Sequence, residues 1–120
     1  MLYIGNIPVK SLKSTINNFI EEKDTKRIFY KLLPSIKKEG LKVPIVIDNE
    51  FNIAYGNNRY FCVNILQWKN VKCIIVFPTL EQQLLYKKLS LEEWREFKKH
   101  NPRLPKIIKT YLKEIIKWPI

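Results

Sequence analysis

The stretch from Val43 to Phe77 constrains this chain more than any other part of it. Two short apolar runs, Val43–Ile47 and Phe51–Tyr55, flank the polar triplet Asp48-Asn49-Glu50, a spacing that predicts a hairpin. Gly56 follows at once. Phe61, Cys62, Ile65 and Leu66 then recur at helical spacing and predict a helix from about Asn58 to Gln67. The next run, Val71–Phe77, is apolar at nearly every position, as a strand covered on both faces would be. A hairpin, a glycine turn, a helix and a buried strand in that order point to an α/β domain.

The flanking segments fit around this unit. Residues Leu2–Leu12 alternate loosely about Pro8, which predicts a short edge strand followed by a bend. Residues 13–24 are polar, with "STINN" as turn or short-helix material. Ile28, Phe29, Leu32, Leu33 and Ile36 predict a helix that Asp24 or Thr25 caps and Gly40 ends, kinked or split at Pro34. Thr79 with Gln82, and Ser90 with Glu93, are spaced as capping boxes. The last helix, Leu104–Trp118, sets Leu104, Ile107, Ile108, Tyr111, Leu112, Ile115 and Ile116 on one stripe and Lys106, Lys109, Lys113 and Lys117 largely on the other. The segment His100–Pro105 is the one candidate hinge.

With 120 residues, the chain is long enough for one core but not two. Its longest apolar stretch, Cys73–Phe77, is far too short to cross a bilayer, and "MLYIGNIPVK" does not read as a secretion signal. Cys62 and Cys73, with a single histidine, suit neither a disulfide framework nor a zinc site, so no metal site and a cytoplasmic setting are expected. The net charge of +11 favours nucleic acid, nucleotides or an acidic partner. Abundant Lys, Ile and Asn beside only four arginines also reflects AT-rich coding, which suits a phage or mobile element and places part of the lysine on solvated faces.

The loop at Gly56 carries the clearest chemistry. A glycine lets the backbone approach an anion, the first amides of a helix are unpaired, and Arg59 offers a planar fork for phosphate. Asn57 and Asn58 add amide donors. The plainer alternative is that Gly56 only makes the turn, Asn57 or Asn58 caps the helix, and Arg59 pairs with a surface acid. Turn chemistry accounts for Asp48 and Glu50, helix-start charge for Glu21, Glu22 and Asp24, and a basic loop for His100. Two aspartates and no carboxylate cluster give metal-dependent nuclease chemistry little support. From Lys98 to Ile120, six lysines and one arginine face Glu114 alone, a net of +6. That tail reads first as a packing helix, against the domain or as a homodimer contact. Nucleic-acid contact through Lys106, Lys109, Lys113 and Lys117 comes second, and a membrane surface at Trp118 last.

The segments "LLPSIKKEGLKVPIVI" and "AYGNNRYFCVNILQWKNVKCIIV" resemble the N-terminal domain shared by ParB-type partition proteins and sulfiredoxins. The matching positions are Ser35, Ile36, Gly40, Pro44–Ile47, Gly56, Arg59 and Val71–Val76, with Cys62 and Val63 where the family carries small alanines. The resemblance implies a small mixed sheet of about four strands with packed helices over residues 1–80. A basic helical extension, 81–120, is expected to pack on it, the chain as a whole being a stand-alone version of the module. It also implies a nucleotide or phosphate site at Gly56, Asn57, Asn58 and Arg59, with a nucleoside triphosphate and magnesium as cofactor, and DNA as a further partner. The alternative it carries is an enzyme of the same fold, for NTP hydrolysis, kinase-type phosphoryl transfer or nuclease action, with Glu21 or Glu22 nearest to a base. Three departures stand out. The partition loop Gly-Glu-Arg-Arg is here Gly56-Asn57-Asn58-Arg59, residues 13–23 hold no arginine, and the sulfiredoxin Cys-His pair is replaced by Asn57-Asn58, which removes sulfinic acid reduction.

Overall fold

The computed structural model describes residues 2–14 and 27–116, without the side chains of Phe29 and residues 112–116. The chain divides into two compact units, Met1–Leu89 and Ser90–Ile120. The proposed caps Asp24 and Thr25, the "STINN" segment, the acids Glu21 and Glu22, and Lys117 and Trp118 lie outside the described residues, as do the side chains of Leu112, Lys113, Ile115 and Ile116.

The first unit is built on a mixed five-stranded sheet of order β3-β2-β4-β1-β5. Its strands are β1 (Leu2–Pro8), β2 (Ile45–Ile47), β3 (Ile53–Tyr55), β4 (Asn70–Val76) and β5 (Lys87–Lys88). The central strand β4 runs antiparallel to β1, with Tyr3 opposite Ile75, and parallel to β2, with Val46 opposite Ile74. One face carries Tyr3, Ile7, Ile45, Ile47, Val71, Cys73 and Ile75 into a core shared with Ile28, Ile36, Cys62 and Val63. On the other face Ile4, Val46, Ile74 and Val76 are buried too. The continuous apolar run of β4 is thus accounted for, since its neighbours bury residues of both parities. A slip of one residue would exchange the two faces.

The edge position expected for β1 is not what forms. The strand lies between β4 and β5, with Tyr3 opposite Lys88 and Ile4 opposite Lys87. A two-residue lysine strand has no periodicity from which to infer it, which is why the sheet has five strands rather than about four. Gly5 has a packing role here: a Cβ on it would meet Cδ1 of the Tyr86 ring, which lies directly over the glycine.

The break expected at Pro34 takes a definite form. Residues Ile28–Leu32 make a π-helical turn, in which the Leu33 N–H reaches back to the Ile28 carbonyl, before α1 (Leu33–Glu39) begins. Pro34 has no N–H to continue the ladder and its ring crowds the preceding turn, so the backbone widens there. The helix stops at Gly40, whose N–H bonds the Ile36 carbonyl at 2.9 Å. In the β2–β3 hairpin Asp48 Oδ1 accepts from the Glu50 and Asn52 N–H groups at 2.8 and 2.9 Å, the turn role expected of it. Helix α2 spans Asn57–Ile65 and α3 spans Leu80–Leu85, the latter opened by the Thr79–Gln82 capping box.

The second unit holds α4 (Leu91–His100), opened by the Ser90–Glu93 capping box, and α5 (Leu104–Ile116). Between them the Arg103 N–H donates to Asn101 Oδ1 at 3.1 Å, which fixes the turn. Leu104 and Ile108 are buried while Lys106 and Lys109 are exposed. Among the described residues no helix is long and apolar enough to cross a membrane.

Candidate functional site

Strand β3 ends at Tyr55 and α2 begins at Asn57, leaving one residue to reverse the chain. Gly56 does so at φ +108°, a left-handed conformation that L side chains rarely adopt, with its Cα side packed on Ile45. The N-cap is therefore Gly56 itself, and no side chain caps the helix. This corrects the alternative in which Asn57 or Asn58 caps: Asn57 is already the first helical residue. Its Oδ1 accepts a hydrogen bond from Ser14 Oγ at 2.9 Å. Ser14 is brought there by Lys13, which bonds Phe51 and Ile53 through its own N–H and carbonyl, each at 2.9 Å.

The first intrahelical bond runs from the Tyr60 N–H to the Gly56 carbonyl at 2.9 Å. The amides of Asn57, Asn58 and Arg59 precede it, and among the described residues none has an acceptor. These are the donors at which a helix presents its positive end. Arg59, one turn in, does not pair with a surface acid among the described residues. Its guanidinium instead lies over the Tyr55 ring, 5.3 Å from the centroid. Stacking occupies the face of the guanidinium and leaves its N–H edge available for a planar bidentate partner.

These groups open into a cleft of about 260 Å³ lined by Arg27, Leu32, Ala54, Tyr55, Gly56, Asn57, Asn58 and Arg59. All four residues expected at the site are thus together. Arg27 and Tyr55 were not expected. Arg27 lies at the start of the π-helical turn, beyond the arginine-free residues 13–23. The signal was the scarcity of arginine itself, since only four occur in the chain and two of them line this cleft. Two guanidiniums, free helix amides and side-chain amides make a lining that attracts anions. Among the described lining residues there is no carboxylate, and no serine, threonine or cysteine. Among the described residues no three His, Cys, Asp or Glu side chains gather as metal ligands. Lys106 and Lys109 are exposed on α5, in the second unit, whereas the Lys113 side chain and Lys117 are outside the described set. Cys62 and Cys73 are buried free thiols in the core, and burial pushes Cys73 up to about 12. Neither fits reactive thiol chemistry.

The sequence matches the model of the ParB N-terminal domain family over residues 3–90. The chain belongs to the ParB N-terminal domain family. Among solved structures this ParB-type chain is similar to a Pnob8-like ParB-N domain, at TM-score 0.51 and 15% identity, over 84% of this chain and 37% of that one. It is similar as well to sulfiredoxin from Arabidopsis thaliana, at TM-score 0.53 and 21% identity, over 68% of this chain and 92% of that one. A truncated ParB from Caulobacter crescentus, solved with CTP-gamma-S, is matched at TM-score 0.49 and 15% identity over 83% and 53% of the two chains. That last likeness is of outline alone, and no ligand follows from it. No curated protein matches the chain. At these identities the ParB and sulfiredoxin structures share the fold with this domain, while the loop residues remain its own.

Proposed function

We propose that this ParB-like module binds the phosphate groups of a nucleotide or nucleic acid at the start of α2. Gly56 opens the backbone there, the amides of Asn57, Asn58 and Arg59 donate, and the guanidiniums of Arg59 and Arg27 supply fixed charge. The observation that carries the reading is the combination of first-turn amides that meet no acceptor among the described residues with two arginines around one cleft of about 260 Å³. That volume lies below the ~300–1,000 Å³ of pockets for whole drug-sized ligands, so it suits phosphoryl groups and part of a nucleoside. A nucleoside triphosphate would bring magnesium with it as the counter-ion of its phosphates. The lining residues supply binding and orientation. An enzymatic reading needs a base as well, and its candidates Glu21 and Glu22 stand outside the described residues.

Thermal unfolding with a panel of nucleoside mono-, di- and triphosphates, with and without magnesium, tests the proposal. The expected outcome is a rise of several degrees for at least one di- or triphosphate, reduced by Arg59→Ala and by Arg27→Ala. If no nucleotide shifts the wild-type midpoint, the proposal fails. Analysis of products after long incubation with magnesium separates binding from turnover.

A further inference from the structure

Arg27 and Leu32 line one cleft although they stand five residues apart on one helical segment. In an α-helix that spacing sets two side chains about 140° apart around the axis. The π-helical turn removes the conflict. Its bond from the Leu33 N–H to the Ile28 carbonyl takes up one extra residue and brings both side chains to the cleft. The core records the same change of phase, since Ile28 and Ile36 are both buried in one cluster, 0% and 3% exposed. An unbroken α-helix would set residues eight apart about 80° from one another, and absorbing one residue cuts that to about 20°. The turn has a cost. π-helical geometry is rare, and Tyr30 within it stays 80% exposed.

We propose that Pro34 is a positioning residue for the anion site: by keeping this segment out of α register, it holds Arg27 toward the bound phosphate. The competing register is open to the sequence. An unbroken α-helix would carry residue 29, itself apolar, into the phase that Ile28 now fills, and Ile28 into the place of Arg27. The arginine would turn about 100° away from the cleft. The apolar pattern alone permits that exchange. Pro34 opposes it, because it lacks the N–H that an α ladder would donate to the Tyr30 carbonyl, and its ring would collide with that carbonyl. Pro34 is exposed and is not among the residues lining the cleft, so it acts on a ligand only through Arg27. This inference rests on the phosphate reading of the Gly56 loop and adds a second arm to it. The first turn of α2 supplies amides and Arg59, and the register of the segment before α1 supplies the other guanidinium.

Two measurements on the full chain test it, the first without ligand. NMR couplings across hydrogen bonds are expected to join the Leu33 amide to the Ile28 carbonyl in wild type, and to the carbonyl of residue 29 in Pro34→Ala. Isothermal titration with inorganic tripolyphosphate is expected to show Pro34→Ala binding about tenfold more weakly than wild type, as Arg27→Ala does, at an undiminished urea midpoint. In the double variant, Pro34→Ala adds less than about twofold to the loss from Arg27→Ala, because positioning has no effect once the positioned side chain is gone. A merely structural role would add its own loss. An unchanged Leu33–Ile28 coupling in Pro34→Ala, full affinity in Pro34→Ala or in Arg27→Ala, or additive losses each overturn the proposal and leave the Gly56 reading standing. A wild type that binds no tripolyphosphate removes that reading, and the role of Pro34 with it.

Discussion

Arg59 and Tyr55 show how one residue pair sets what the loop can do. A guanidinium aimed freely into water would lose side-chain entropy on gripping an anion, whereas one resting on a ring has already lost part of it. The contact contributes about 0.5–1 kcal/mol where exposed, enough to bias the rotamer without trapping it. Cys73 is the opposite kind of residue, built wholly into the core. Its thiol has lost its hydration to burial and donates only a 3.7 Å contact to the Val71 carbonyl. Burial raises its pKa from 9.0 to about 12. Between those values the unfolded chain has released the proton and the folded one still holds it, so stability is full below pH 9 and falls as pH rises. The slope approaches ~1.4 kcal/mol per pH unit. Urea unfolding at pH 8, 9 and 10 is expected to show this extra loss in wild type and not in Cys73→Val, where no proton is at stake; parallel curves would refute it.

At the scale of elements, the parts that sequence made legible are those whose signal is local. The hairpin, the split at Pro34, both capping boxes and the α2–β4 succession each rest on residues a few positions apart, and each forms. Asp48 illustrates the strength of such a signal. It binds two backbone N–H groups and, through Oδ2, the Asn52 side-chain amide at 3.0 Å. Asp48→Ala is expected to lower stability by about 1–3 kcal/mol in urea unfolding while leaving nucleotide-induced shifts unchanged. A variant as stable as wild type would mean the turn holds without the carboxylate. What was hidden depends on distance along the chain. β5 is two lysines with no pattern, so β1 read as an edge. Arg27 reaches the cleft through the tertiary path of the π-helical turn, and Tyr55 looked like one more strand residue until Arg59 lay over its ring. The N-cap was ambiguous for a different reason: glycine and asparagine both serve there, and only the +108° torsion of Gly56 decides between them.

For the whole molecule, charge and site have separate consequences. The excess of +11 gives a general attraction for polyanions, screened within about 8–10 Å at physiological salt. If α5 contacts DNA phosphates, Lys106→Gln with Lys109→Gln lowers the slope of log affinity against log salt by roughly two. An unchanged slope in a filter-binding salt series leaves those lysines to solvation. The central claim is narrower, that the first turn of α2 is the seat of phosphate recognition. Amide-resolved NMR on the full chain, titrated with a nucleoside triphosphate and magnesium, addresses it most directly. The account predicts that the amides of Asn57, Asn58 and Arg59 shift first and together, and that Arg59→Ala reduces the movement at the same ligand concentration. Saturable shifts confined to the lysines of α5, with residues 56–59 unmoved, would contradict it.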